Sequence, residues 1–304
     1  VTLMTQVRAI QVLTELGREG SFSGAAQAVG ITQSAASQHI AALEGHVGTI
    51  LVDRGVRPLE LTEAGAVLAR HGAAILTHLD DAQQSLDEIV GRQAGRLRIG
   101  SFPTALTSFV PQVLSRLRAV SPDLELTVVD DHMPALLPRL ESGELDMAVV
   151  YEAAGTPSAI THRLTVVPLF EDPYRALLPV RHRLARTDRR LRLADLKDEP
   201  WVGGRPGSAW YRILLAACRA DGFEPRALLS TDDHRAVQAF VAAGLGIGVV
   251  PGLAAAQAPA GVTVRDLHPG GPVRRIGVAH RSGGPVPAPI RTAVALLQQV
   301  TAGR

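Results

Sequence analysis

Gln33, Ser34, Ser37 and Gln38 lie in ITQSAASQHIAALE, residues 31–44, a stretch with one acidic residue and no lysine or arginine. Their side chains suit one kind of chemistry. A glutamine amide can make two hydrogen bonds to an adenine edge, a serine hydroxyl can donate or accept, and short side chains let a helix approach a DNA groove closely. Ala36, Ile40 and Leu43 recur at spacings of four and three, the pattern of a helix that buries its other face. A neutral amphipathic helix can equally serve a protein-interaction module, so the surrounding elements must decide.

Other residues that could do chemistry carry less. Asp130-Asp131-His132 and Asp232-Asp233-His234 offer carboxylates and imidazoles of the kind divalent metals accept. Their repetition fits Asp capping at two equivalent strand-to-helix turns, and no metal is assigned. Gly244, Gly246 and Gly248 imitate a dinucleotide loop, but a helix precedes them and a strand follows, the reverse of the order that aims a helix N-terminus at phosphate. No Gly-x-Ser-x-Gly elbow is present, and the histidines show no spacing with a nucleophile. Cys218, the sole cysteine, excludes an internal disulfide and reads as a buried apolar residue. The sequence therefore predicts neither an enzyme nor a cofactor.

The elements around ITQSAASQHIAALE form a module. Val7, Ile10, Val12, Leu13 and Leu16 predict a first helix ending near Gly17 and Gly20. A second short helix, capped by Ser21 or Ser23, ends at Gly30, whose left-handed backbone turns the chain into a third helix capped by Thr32. Two helices joined by a tight glycine turn make a helix-turn-helix. LVDRGVRPLELT follows, with Gly55 and Pro58 marking a turn between two short extended pieces, a wing that carries Arg54 and Arg57. Residues 1–62 hold four arginines against five carboxylates, net −1, so phosphate contact must come from these few placed arginines and not from a basic patch.

At 304 residues the chain suits two or three domains. There is no run of eighteen apolar residues and no signal-peptide pattern at the start, so a cytoplasmic protein is expected. Lys197 is the single lysine among 31 basic residues, which makes the pI of 9.1 a poor guide to partners. Six arginines in RHRLARTDRRLR, residues 181–192, read as a solvated surface segment.

Beyond the module, Leu68, Gly72, Ile75, Leu79, Ala82, Leu86 and Ile89 alternate steps of four and three, a heptad seam on a helix that reaches to Gly91 and Gly95 and pairs with a partner. After Gly95 the strands RLRIGSF, LELTVVDD and LDMAVVY alternate with helices over 104–119 and 134–141, an α/β pattern with parallel strands. LELTVVDDHMPALLPRLESGELDMAVVY and ALLSTDDHRAVQAFVAAGLGIGVVP both run strand, Asp-Asp-His, helix, glycine, strand. Two such lobes enclose a cleft at their strand ends. Candidate cleft residues are Ser101, Phe102, Thr104, Asp131, His132, Tyr151, Gly203, Gly204 and Thr231. The first three precede a helix, where hydroxyls and free N–H groups favour an anion such as a carboxylate.

The stretch from Ser21 to Gly65 resembles the winged helix-turn-helix of LysR-type transcriptional regulators. It carries Ser21-Phe22-Ser23 with Ala25-Ala26, Thr32-Gln33-Ser34, Ser37, Ile40, Leu43-Glu44, Gly48, Leu51, Arg54 and Leu61-Thr62-Glu63-Ala64-Gly65. The family often has Arg or Lys where Gln38, Ala41, Ala42 and Ile50 stand, and Phe where Val52 stands, which implies fewer phosphate contacts here. The resemblance implies DNA contact by Thr32, Gln33, Ser34, Ser37 and Gln38, with wing contact by Arg54 and Arg57. It also implies a dimerising linker helix and an effector domain shaped like a periplasmic solute-binding protein.

The expected fold is therefore α/β. It comprises a winged helix-turn-helix at 1–62, a linker helix at 63–93 and a two-lobed effector domain at 94–304. Lobe 1 takes about 94–166 and 266–304, lobe 2 about 167–265. The expected function is sequence-specific promoter binding modulated by a small-molecule effector in the interlobe cleft. Expected partners are double-stranded promoter DNA, the effector, further copies in a homodimer or homotetramer, and RNA polymerase if the protein activates, with no membrane. The alternative is a solute-binding protein without a DNA role.

Overall fold

The computed structural model describes residues 6–89, 95–153, 158–187, 189–268 and 270–304. Three helices open the chain: α1 (Val7–Glu19), α2 (Phe22–Val29) and α3 (Gln33–Val47). They close over Ile10, Leu13, Leu16, Ala26, Ile40 and Leu43, all nearly or wholly buried. Gly17 does not end α1; the helix runs on to Gly20, whose φ of 60° makes the turn. Gly17 matters for space instead, because a Cβ there would sit 2.8 Å from Leu61 Cδ1. Strands β1 (Val52–Asp53) and β2 (Glu60–Leu61) pair antiparallel as the wing.

Helix α4 (Glu63–Ile89) continues directly from the wing. Its heptad seam divides. Leu68 packs on the core of the head, and Gly72 lets α1 approach so closely that a Cβ would lie 2.3 Å from Ile10 Cγ2. Ile75, Leu79 and Leu86 stay 45%, 51% and 57% exposed. The side chain of Ile89 lies outside the described residues.

The remainder forms two lobes. The first contains β3 (Arg96–Ser101), α5 (Pro103–Leu106), α6 (Val110–Val120), β4 (Glu125–Asp130), α7 (Met133–Glu141) and β5 (Met147–Ala153). The helix expected over 104–119 is broken into α5 and α6. Pro111 lacks an N–H and its ring crowds the carbonyl four residues earlier, so α6 begins afresh at Val110. A long strand, β6 (Leu164–Pro179), then crosses into the second lobe. That lobe holds β7 (Trp201–Gly203), α8 (Ala209–Ala220), β8 (Ala227–Ser230), α9 (His234–Ala242), β9 (Gly248–Pro251), α10 (Gly252–Ala255) and β10 (Val262–Asp266). Strand β11 (Val273–Arg281) returns to the first lobe, and α11 (Ala288–Thr301) covers it.

The three strands expected to run parallel, β3, β4 and β5, do so, while the later strands make the sheets mixed. β3 pairs parallel with β4 and β5, while β11 runs antiparallel between β5 and β6. In the second lobe β6 pairs antiparallel with β9 and β10, and β7 pairs parallel with β8. The antiparallel members are the crossing strands β6 and β11 and the strands that dock on β6. A chain that leaves a lobe and returns must traverse it in both directions. Separate cores form in each lobe, around Phe109, Leu117, Met147 and Leu297 in one and Trp201, Leu177, Val237 and Val249 in the other.

Candidate nucleic-acid interface and interlobe cleft

The turn before α3 is closed by backbone bonds. Ile31 N–H donates to Ala26 O at 2.9 Å and Gly30 N–H to Gln27 O at 3.2 Å, with Gly30 at φ 72°. Thr32 Oγ1 accepts from Ala35 N–H at 3.2 Å and lies 3.0 Å from Ser34 Oγ. Ala36, Ile40 and Leu43 are fully buried. That fixes the helix rotation, so Thr32, Gln33, Ser34 and Gln38 stand exposed and Ser37 is half-buried at the edge of the same face.

Glu44 joins α3 to the wing, a role the sequence reading missed. Its Oε1 accepts from Leu51 N–H at 2.9 Å and Val52 N–H at 3.3 Å, while Oε2 faces Arg54 Nη2 at 3.3 Å. The Arg54 guanidinium also lies 5.6 Å from the centre of the Phe22 ring. Arg54 is thus held in place between α3 and α2 and remains half exposed. Arg57 stands exposed on the wing and makes no ion pair among the described residues.

Between the lobes lies a cavity of about 880 Å³. Of the residues expected there, Phe102, Thr104, His132, Tyr151 and Thr231 line it, whereas Ser101, Asp131, Gly203 and Gly204 do not. Ser101 is wholly buried, its hydroxyl 3.5 Å from Phe102 O. Asp131 accepts from the adjacent His132 N–H at 2.8 Å. The carbonyl of Gly203 accepts from Thr231 N–H at 2.9 Å, and Gly204 makes room for α8, since a Cβ there would meet Ser208 Oγ at 2.9 Å.

The cavity wall includes Arg274, one half of a buried charged pair that sequence reasoning did not find. Arg274 and Asp172 face each other where β11 and β6 cross between the lobes, 4% and 3% exposed. Arg274 Nε and Nη2 both lie 2.8 Å from Asp172 Oδ2, and Nη2 also donates to Thr104 Oγ1 at 2.8 Å. Asp172 Oδ1 accepts from Leu253 N–H at 3.0 Å. The guanidinium sits 4.9 Å from the Phe102 ring centre and 5.1 Å from that of Tyr151. Burial raises the pKa of Tyr151, against the opposing field of Arg274.

The second lobe contributes Trp210, His234 and a clasp at the rim. His234 stands edge-on to Trp210 with ring centres 4.5 Å apart. Burial, with help from Arg274, lowers its pKa to about 4, so its imidazole is neutral. Asp232 accepts from Arg205 N–H at 3.0 Å and Nε at 2.8 Å. Burial would raise its pKa, but these bonds and Ser208 hold it below the usual carboxylate range. The two Asp-Asp-His sites have diverged. Asp233 caps α9 through Arg235 N–H, whereas α7 has no side-chain cap. No metal-holding cluster occurs among the described residues.

Comparison with known proteins covers both parts. The family described as bacterial regulatory helix-turn-helix protein, lysR family, matches residues 7–66, and the LysR substrate binding domain matches residues 91–302. The HTH-type transcriptional regulator CbbR of Rhodospirillum rubrum is 31% identical over 245 residues, 80% of this chain and 78% of that one. A probable hydrogen peroxide-inducible genes activator of Mycobacterium avium is 30% identical over 256 residues, 82% and 79% of the two chains. Full-length OxyR from Pseudomonas aeruginosa has the same fold, with a TM-score of 0.76 at 21% identity over 98% of this chain and 99% of that chain. Two matched domains of one family span nearly the whole sequence, and the chain belongs to the LysR family of bacterial transcriptional regulators.

Proposed function

We propose that Thr32, Gln33, Ser34, Ser37 and Gln38 enter the major groove of promoter DNA, while Arg54 and Arg57 hold the flanking phosphates. The observation that carries this reading is the rotation of α3: its buried side is fixed by Ala36, Ile40 and Leu43, so its neutral hydrogen-bonding side faces out. Glu44 sets the distance from that face to Arg54. Changing Gln33 and Ser37 to Ala is expected to weaken specific retention of a cognate promoter fragment by more than about tenfold, since one well-placed base contact is worth roughly 1–3 kcal/mol. Circular dichroism should be unchanged. Unaltered retention by the folded variant would remove the reading.

The working divisions are 1–62 for the reading head, 63–93 for the linker helix and 94–304 for the effector domain, with lobe 2 at about 167–265. The interlobe cavity takes the effector. A ligand that prefers one interlobe arrangement shifts the molecule toward it, and operator affinity shifts with it. The protein works in the cytoplasm as a homodimer or homotetramer built on α4, catalyses no reaction, and meets RNA polymerase where it activates. No helix among the described residues is long and apolar enough to cross a membrane. The peroxide response named for some relatives is not carried over. Cys218 is the sole cysteine, fully buried, and burial pushes its thiol up to about 12, leaving almost no thiolate to oxidise.

A further inference from the structure

Arg274 is charged and almost entirely enclosed, yet its hydrogen bonding is incomplete. Nε and Nη2 are spent on Asp172 and Thr104. Nη1 has no hydrogen-bond acceptor among the described residues. The sole side-chain nitrogen or oxygen there that is both buried and unpartnered is His234 Nδ1, so Nη1 opens to the cavity that Arg274 lines. Thr104 Oγ1 accepts from Arg274 and keeps its own proton to donate. Two donors therefore converge on the cavity from one buried point.

The surroundings narrow what would meet them. The chain is poor in aromatic residues, with two Trp, three Tyr and six Phe in 304 residues. Four of these, Phe102, Tyr151, Tyr174 and Trp210, line this one cavity. Among the lining side chains three arginines, Arg205, Arg235 and Arg274, meet two aspartates, Asp232 and Asp233. Asp232 is paired with Arg205, and Asp233 turns Oδ1 to the N-terminus of α9, so the lining carries more arginine than carboxylate charge. Asp172 stands behind Arg274 and balances its charge, so preference for an anion comes from direct donors more than from a field.

Building on the reading of the cleft as the effector site, we propose that its ligand is a small planar organic acid whose carboxylate docks on Arg274 Nη1 and Thr104 Oγ1. Its flat body lies among Phe102, Tyr151 and Trp210. Arg274 is then the residue that sets specificity, at the point where both strands cross between the lobes.

The test is calorimetric titration of the full-length protein with phenylacetate, 3-phenylpropanoate and 2-naphthoate, each beside its amide, and with cyclohexylacetate as a saturated control. At least one aromatic acid is expected to bind about tenfold more tightly than its amide, the difference between a charge-assisted and a neutral hydrogen bond. It should also bind more tightly than cyclohexylacetate. Arg274→Met combined with Asp172→Asn removes both charges together, so no unpaired ion is left buried, and should erase the preference for acid over amide. Arg274→Lys, which keeps the charge but loses the guanidinium fork, should weaken the acid severalfold. The proposal is overturned if no acid binds, if amides bind equally well, or if the preference survives both variants. A Trp210→Ala variant separates the two levels. If it weakens binding while the Arg274 variants do not, the cleft is the site and the acid anchor is wrong. If neither weakens binding, the cleft itself is not the site.

Discussion

At the scale of single residues, His234 shows what burial does without a partner. Its Nδ1 has no hydrogen-bond partner among the described residues, and its pKa falls from 6.5 to about 4. An unfolded chain takes up this proton below about pH 6.5, but the folded chain resists until about pH 4. His234 therefore contributes nothing pH-dependent above 6.5, and stability falls as pH drops from 6.5 toward 4, by about 3 kcal/mol in all. Thermal melts of wild type and His234→Phe across this window should diverge as pH falls, the variant losing less. Parallel curves would show that His234 titrates normally. The outward face of α3, proposed above to meet DNA, was legible because a helix with three buried positions leaves little choice of which side faces out. Arg274 and Asp172 were not, since each reads alone as an ordinary charge in a strand, and 102 residues separate them. Only the register of β11 against β6 brings them together. Ser101 lies off the cavity for a related reason: proximity to a strand end does not say whether a side chain turns toward the cavity or the core.

At the scale of elements, the helix-turn-helix was readable because its signals are local: Gly30 must take positive φ, Thr32 must cap, and apolar spacing does the rest. The directions of the later strands were not, because antiparallel pairing among β6, β9, β10 and β11 is decided by where the chain crosses between lobes. The seam on α4 was half legible. Its spacing was plain, but Gly72 and Leu68 serve contacts inside the head, which leaves Ile75, Leu79 and Leu86 to face outward. Covering such side chains is worth roughly 1.5–3 kcal/mol each when burial is complete. If this stripe joins two copies, Leu79→Glu places a charge on each side of the seam and should raise the dimer dissociation constant by more than about tenfold, a loss of at least ~1.4 kcal/mol. Sedimentation equilibrium measures it. An unchanged association would assign the stripe to some other contact.

At the scale of the whole molecule, the reading head is tied to the first lobe through a small contact. Thr77 of α4 is buried, its hydroxyl shared between Ala73 O of its own helix at 2.9 Å and Ser142 O at 3.2 Å, and Gly143 presses against it with φ 80°. A Cβ at Gly143 would lie 2.0 Å from Thr77 Oγ1. Alongside, Arg18 of α1 reaches Glu144 at 3.8 Å and Arg96 reaches Asp80 at 3.0 Å. The turn at Ser142–Gly143 ends α7, whose beginning supplies His132 and Pro134 to the cavity wall. One nine-residue helix therefore touches both the effector cleft and, through its last turn, the linker of the head. Its inner side is locked by Leu136, Leu137 and Leu140, so it moves with its lobe and not separately. Gly143→Ala should cost about 1–2 kcal/mol from the left-handed backbone alone, and more from the collision with Thr77. In a Thr77→Ala background the collision is with a smaller side chain, so the same substitution should lower the melting temperature less. That non-additivity is the signature of the contact. Hydrogen exchange of the amides around Thr77 should quicken in Gly143→Ala, as the linker lifts from the lobe. If instead the two substitutions add and exchange near Thr77 is unaltered, the head is not held to the lobe here, and any signal from cleft to operator travels by another route.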